Sequence, residues 1–361
     1  MTYETYFPEQ RHLLQQAAFR RDRLLPNEAS GVLEIGRGDR VDLRTVVARG
    51  ESTSPYTILD VVKALKLRSV EDVEKVLKVG VGDTVTQDEM LASKDKRNRK
   101  GLRSPIDGTV VFISAGRIIL RAHSDPVQVE AGMTGQVVEI RRGRGALIEG
   151  LGAVMQGVWG NDKRGIGVIR LEPEEGLEHI YGGEFESPFR GAIVITRRPL
   201  KAVSLDVMVD QGLAGVIAPS IEPELLDAAL ACPRAILLTE GFGQQRMGGA
   251  VYQFLVAFQG MQATIDGVLP GVLEARRPEV IVRVPINPGE RPPAARIDTV
   301  LQRGMQVRLT RGDFAGNMGE VVDLPQNTVM LENGLRVFCA QVKLLTGETV
   351  NVPLENLEVF G

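Results

Sequence analysis

Ala192-Ile-Val-Ile-Thr196, Gly215-Val-Ile-Ala-Pro-Ser220 and Ala235-Ile-Leu-Leu-Thr239 are three short apolar runs, and a stretch of helical spacing follows each. After the first, Pro199 can open a helix with Leu200, Val203 and Val207 on one face and Gly212 at its end. After the second, Leu225, Leu226, Ala229 and Leu230 keep the same period; after the third, Val251, Phe254, Leu255 and Phe258 do so before Gly260. Strands without polar alternation are buried on both faces, and strands joined by helices pair in parallel. Residues 187–284 therefore read as an α/β domain, a small parallel sheet covered by helices on both sides.

Ligands of open parallel sheets bind beyond the carboxyl ends of the strands. Those ends carry Arg197 and Arg198, then Ser220, then Glu240, Gly241 and Gly243 with Arg246. The last group follows a strand and opens a helix, so its backbone N–H groups could meet an anion. Its spacing, Gly241-x-Gly243-x-x-Arg246, resembles a dinucleotide fingerprint with Arg in place of the third glycine. Two readings stand here: an anionic-ligand site, or a plain turn and helix cap.

Upstream, residues 69–186 change to short strands divided by Gly-Asp and Asp-Gly turns. The pattern is Val76-Leu-Lys-Val-Gly-Val-Gly-Asp-Thr-Val85, then Met90-Leu-Ala92, then Ser104-Pro-Ile-Asp-Gly-Thr-Val-Val111. Gly82-Asp83 and Asp107-Gly108 supply turn residues, and the alternating Val and Ile can fill a small core. These motifs resemble the lipoyl/biotinyl-type barrel-sandwich hybrid fold over about fifty residues. The resemblance implies a central hairpin with its tip at Ser93–Gly101, where carrier members of the family attach lipoate or biotin to a lysine. An Asp95-Lys96 pair stands there, but Lys96 is one residue too far from Pro105 for the usual spacing, and the Met-Lys-Met biotin signature is absent. No cofactor is expected. Lys94, Lys96, Arg97, Arg99, Lys100 and Arg103 make the hairpin basic, either a solvated loop or a contact for an anion or nucleic acid.

Downstream, residues 285–300 form a Pro-rich linker that cannot hold regular structure. Residues 301–361 begin with Gly304-Met-Gln-Val-Arg-Leu-Thr-Arg-Gly-Asp-Phe-Ala-Gly-Asn-Met-Gly-Glu-Val-Val322 and end with Val350-Asn-Val-Pro-Leu-Glu-Asn-Leu-Glu-Val359. This pattern resembles the KOW motif closely. It implies an SH3-like β-barrel, with Arg311, Gly312, Asp313, Phe314, Gly316 and Gly319 forming the partner-binding loop. KOW domains bind RNA or protein in transcription and translation. Here, from Leu301 onward, five basic residues face seven acidic ones. A module of net −2 lacks the phosphate-neutralising surface of an RNA binder, so a protein partner is favoured over RNA, and packing against the chain's own neighbouring domains stands as the third reading.

The remaining signals bound the answer. A net charge of −3 over 361 residues provides no global pull toward nucleic acid or an anionic membrane. The first residues lack a signal peptide's basic and apolar regions, and no run approaches the ~20 apolar residues of a membrane span, so a cytoplasmic protein is expected. In residues 1–68, Leu13, Leu14, Ala17 and Ala18 fall at helical spacing before Pro26, which predicts a helical lead; a second short helix is expected over Ile58–Leu65. Cys232 and Cys339 read as buried hydrophobes, and the sole tryptophan, Trp159, as a core or edge plug. His12, His123 and His179 lie in three separate segments with no ligand spacing around them, so no metal is expected. No nucleophile elbow, phosphate loop or paired-carboxylate motif appears; Glu240 beside its glycines is the one acid to test.

The expected architecture is multi-domain α+β: a barrel-sandwich hybrid β domain, a small parallel α/β domain and a C-terminal SH3-like barrel. The leading functional expectation is a non-enzymatic binding or scaffold protein that contacts a protein of the transcription or translation machinery through its KOW domain. The rival is a ligand-sensing or enzymatic protein with a small anionic ligand at the strand ends. A convergent polar cleft there would favour the rival; a filled sheet end would favour the scaffold.

Overall fold

The computed structural model describes residues 6–26, 29–52, 56–94, 101–123, 126–179, 188–269, 276–285, 292, 294, 299–331 and 333–360. The described residues are predominantly β, folded into several sheets with four α-helices.

The N-terminal helical lead does not form. Glu9–Arg11 (β1) and Leu13–Leu24 (β2) are strands, and β2 pairs antiparallel with Gly145–Gln156 (β3) from Leu24↔Gly145 to Leu13↔Met155. Ala17, Phe19, Arg21 and Arg23 point inward at period two. Two of these four are arginines, which hides the alternation from a hydrophobicity scan. Each is held by an acid: Arg21 donates to both oxygens of Glu279 at 2.6 Å, and Arg23 donates to Asp266 at 2.6 Å and to the Ala131 carbonyl at 2.7 Å. A register slip between Gly152 and Val154 shifts Leu13 and Leu14 relative to Ala17, which produces the false helical spacing.

Residues 56–123 carry their own core of Val61, Val85, Leu91, Val110, Ile118 and Leu120. Tyr56–Asp60, Arg117–Ala122, Gly108–Ser114 and Thr84–Val85 form one four-stranded sheet. The helix expected over Ile58–Leu65 begins only at Val61 (α1, Val61–Leu65), because Asp60 ends the strand and caps the helix, its carboxylate accepting from Lys63 N–H at 2.9 Å. Gly82 sits at φ +96° in the expected turn. Met90–Ser93 and Gly101–Arg103 are the arms of the expected hairpin; Lys96, Arg97, Arg99 and Lys100 lie outside the described residues.

The α/β segment follows its predicted rhythm after Trp159–Gly160 (β4) and Arg164–Leu171 (β5). In order come Ile193–Ile195 (β6), Ala202–Asp210 (α2), Gly215–Ile221 (β7), Leu226–Ala231 (α3), Ala235–Phe242 (β8), Gly249–Ala257 (α4), Gln262–Asp266 (β9) and Glu279–Val282 (β10). Strands β5, β6, β7 and β8 are parallel neighbours. Alternate side chains feed opposite faces: Ile193, Ile195 and Leu237 pack on α4, whereas Val194, Val216 and Ile236 pack on α2 and α3.

The parallel sheet is not a separate unit, however. It continues through antiparallel β9 and β10 into β3, in one eleven-stranded sheet ordered β4-β8-β7-β6-β5-β9-β10-β3 and onward. The sheet crosses the 186/187 boundary, because β5 belongs to it by pairing while its sequence continues the Gly-rich β pattern.

In the C-terminal segment, Gln306–Leu309 (β11) and Leu357–Phe360 (β12) belong to a six-stranded sheet, where β12 also takes β1 as a parallel neighbour. The N-terminal strand thus completes the C-terminal module. Pairing among the described strands does not close this sheet into a barrel. Gly312 and Gly316, both near φ +86°, shape the loop after β11, and Phe314 packs on the module's core. Arg311 and Asp313 are exposed, while Gly319 lies inside the next strand, paired with Val307. Most of the Pro-rich linker lies outside the described residues.

Candidate functional site

A cleft of about 750 Å3 opens at the carboxyl ends of β6, β7 and β8, where the sequence placed its site. Arg197, Arg198 and Lys201 enter from the β6–α2 loop, Glu222 and Glu224 from the β7–α3 connection, and Gln244, Gln245 and Arg246 from the β8–α4 loop. Pro199, Leu200 and Leu225 supply apolar surface.

Each loop is fixed by the local sequence. Arg197 donates through its backbone N–H to Glu172 Oε1 at 2.7 Å, and its Nη2 reaches the carbonyls of Pro173 and Glu174 at 3.3 and 3.4 Å. Arg198 Nη1 donates to the Glu175 carbonyl at 3.2 Å. Lys201 stands 3.4 Å from Glu178. Burial works against the Glu178 carboxylate, but its own backbone N–H, Lys201 and Ser204 together hold the carboxyl below its ordinary value. Gln244 Nε2 donates to the Glu222 carboxylate.

Ser220 is in the site's framework rather than its lining. It is fully buried, and its hydroxyl donates to the Gly243 carbonyl at 2.6 Å and accepts from Gln245 N–H at 3.1 Å. The hydroxyl thereby ties the end of β7 to the loop that carries Arg246. Gly241 and Gly243 lie at φ +109° and +89°, a region that favours glycine, and they turn the chain out of β8.

Glu240 does not face the cleft, and no anion site forms on the amino end of α4. The helix opens at Gly249, six residues after Gly243, and the Gly248 N–H at its cap donates to Glu240 Oε1 at 3.0 Å. The chain's own carboxylate occupies the position an anion was expected to take. The other oxygen of Glu240 pairs with Arg308 on β11. Of the expected site residues, the fold brings Arg197, Arg198 and Arg246 together; Ser220, Gly241 and Gly243 shape the loop behind them; Glu240 leaves for the domain interface.

That interface holds a buried charge cluster that the sequence did not reveal. Arg11 is fully buried, with Nε donating to Glu358 at 3.0 Å and Nη1 to the Thr239 carbonyl at 2.7 Å. Arg308 Nη1 reaches Glu358 at 3.2 Å, and Arg277 pairs with Glu9 and Glu358. A second cleft of about 560 Å3 lies here, but its cations face carboxylates of the same chain. No local pattern marks these residues, since each finds its partner at least fifty positions away. Glu222 and Glu224 do carry a sequence signal: they stand within three residues of the end of β7, one of the strand ends expected at the site.

No protein-family model matches the chain, and no curated protein is similar to it in sequence. The site has to be judged by its own chemistry. Among the described residues no group of three or more His, Cys, Asp or Glu side chains converges as a metal site would, and no helix is long and apolar enough to cross a membrane. The cleft offers cations, amides and two carboxylates, which suits binding of a polar anion.

Proposed function

We propose that the protein is a multi-domain binding protein that takes a small anionic ligand in the cleft at the carboxyl ends of β6, β7 and β8. The carrying observation is convergence: Arg197, Arg198 and Lys201 from one loop and Arg246 from another line the same cleft. Its volume of about 750 Å3 falls in the usual range of ligand sites, and strand ends are where open α/β sheets bind ligands. The KOW-like and barrel-sandwich-like sequences support reading residues 301–361 as an SH3-like module and the stretch Val76–Val111, within the segment that carries its own core, as a hybrid-motif module, both non-catalytic. The C-terminal module braces the cleft, because Arg308 holds Glu240 at the root of the loop that carries Arg246.

The test is a thermal-shift screen of the full chain against phosphate esters, nucleotides and di- and tricarboxylates. The triple variant Arg197→Ala, Arg198→Ala, Arg246→Ala serves as reference. Stabilisation of the wild type by one anion class, lost in the variant, supports the proposal. A wild type that responds to none refutes it.

A second reading is favoured by a separate observation. Met330, Leu335 and Leu345 of the C-terminal module are 66%, 58% and 84% exposed, large apolar side chains that a protein partner would cover. In this reading the module docks onto a protein of the transcription or translation machinery. Recovery of ribosomal or polymerase subunits with the tagged chain, resistant to nuclease and lost in Leu345→Ser, would support it; recovery of neither would end it.

A further inference from the structure

We propose that the cleft accepts a phosphate monoester bearing free hydroxyl groups, a sugar or polyol phosphate, with its phosphate held over the end of β7 between Arg198 and Arg246. The inference rests on the anion-binding reading above and specifies the ligand's class.

The four cations are not equivalent. Arg197 lies 3.4 Å from Glu172 and Lys201 lies 3.4 Å from Glu178, so each already has a carboxylate of its own chain. Among the described residues, Arg198 donates only to a neutral carbonyl. Arg246, among the described residues, has neither a hydrogen bond nor an ion pair. Among the described residues neither Arg198 nor Arg246 is in an ion pair, so both guanidiniums can pair with a phosphate monoester, which carries about −1.5 to −2 at neutral pH.

The strand order puts those two charges where one group can reach both. β7 lies between β6 and β8. The loop after β6 carries Arg198 and the loop after β8 carries Arg246, so they flank the end of the middle strand. Guanidinium forks match phosphate oxygens in pairs, and two forks from opposite sides suit a tetrahedral group better than a planar carboxylate.

The rest of the cleft sets the rest of the ligand. Glu222 and Glu224 leave the end of β7 into the same space, and Gln244 orients the Glu222 carboxylate. Carboxylates there repel a second phosphate and accept hydrogen bonds from hydroxyls. Gln245 adds an amide that can donate or accept. The apolar surface is Pro199, Leu200 and Leu225, and among the described residues no aromatic ring lines the cleft to stack on a nucleobase.

Isothermal titration of the full-length protein tests this, with ribose 5-phosphate, glucose 6-phosphate and glycerol 3-phosphate as probes beside ribose, pyrophosphate and citrate. At least one of the three esters is expected to bind, more tightly than pyrophosphate, while ribose does not. Arg246→Ala and Arg198→Ala are each expected to weaken it roughly tenfold or more, the usual scale for a lost charge-assisted contact. Arg246 is exposed and unpaired, so its variant retains the fold, as an unchanged melting temperature will report. Glu224→Gln is expected to narrow the gap between pyrophosphate and the esters. Binding of citrate or pyrophosphate in preference to all three esters overturns the class and leaves the anion reading standing. Failure of every anion overturns both. Ester binding unchanged by Arg246→Ala overturns the site.

Discussion

Substituting Glu358→Gln is expected to loosen the C-terminal module from the body of the protein. Glu358 is 1% exposed, and its two oxygens serve three guanidiniums: Arg11 at 2.9 and 3.0 Å, Arg308 at 3.2 Å and Arg277 at 3.6 Å. Arg11 is wholly buried and also bound to the Thr239 carbonyl, so it cannot swing its charge into water. Burial, and next the neighbouring Arg11, already pull the Arg308 guanidinium below its ordinary value, which marks the site as one where positive charge is held at a cost. Glutamine keeps the volume and removes the compensating charge. Removing one partner of a buried ion pair costs about 3–5 kcal/mol, a large part of the roughly 5–15 kcal/mol by which a domain is stable. Urea unfolding can be followed by the fluorescence of Trp159, which packs edge-on to Phe242 at 5.7 Å beside the interface. With a slope of about 3 kcal/mol per molar urea, the midpoint should fall by about 1 M or more. Amide exchange at Glu9–Arg11 and Leu357–Phe360 should accelerate in the same variant, because these paired strands carry the contact. Glu355→Gln, an exposed acid on the same module, is the control and should stay within about 0.5 kcal/mol of wild type. A Glu358→Gln midpoint and exchange pattern indistinguishable from that control would refute the reasoning.

Asp266→Asn tests the second buried cluster through pH. Burial alone would raise the Asp266 carboxyl, but Arg23, Arg164 and Arg276 outweigh it and hold the carboxyl well below the usual carboxylate range. A depressed folded value means the stabilisation is full above the unfolded pKa of about 4 and is lost as pH falls through the lower folded one. The variant should therefore be about 3–5 kcal/mol less stable at neutral pH, and the gap should close in acid below about pH 4. A gap independent of pH would contradict this. Asn161→Leu strikes a buried staple: Nδ2 donates to the carbonyls of Ala229, Cys232 and Arg234 at 3.0, 3.3 and 2.8 Å, and Oδ1 accepts from Ile236 N–H at 2.9 Å. Stranding these backbone groups should cost about 3 kcal/mol, read as a lowered urea midpoint. Ser220→Ala should cost only about 1 kcal/mol yet speed amide exchange at Gly243 and Gln245, with α2 and α4 unchanged; no local change would mean the hydroxyl does not hold the loop.

The β-α rhythm of residues 192–258 was legible because its causes are local. Continuous apolar runs such as Ala235-Ile-Leu-Leu, helical periods such as Val251, Phe254 and Leu255, and the glycines between them specify each element without reference to the rest of the chain. The place of the cleft followed from that rhythm alone, since Arg197, Arg198 and Arg246 line it. What each residue does there was not legible. Ser220 and Glu240 stand at strand ends as the site residues do, but one turns inward to bind its own loop and the other turns to Arg308, sixty-eight residues away.

Local pattern was enough for the elements whose signals are apolar and near in sequence: the α/β strands and helices, the turn glycines, and the Gly-rich β character of both flanks. Long-range pairing in the folded chain settled the rest. It made β2 a strand, by supplying Glu279 and Asp266 as partners for inward arginines that otherwise mimic an exposed face. It merged the α/β strands with β3 in one sheet, and it gave β1 to the C-terminal module. One cause underlies each case: a buried charge or an unpaired strand edge is tolerable only beside its complement, and the complement lies more than a hundred residues along the chain, where no local period points to it.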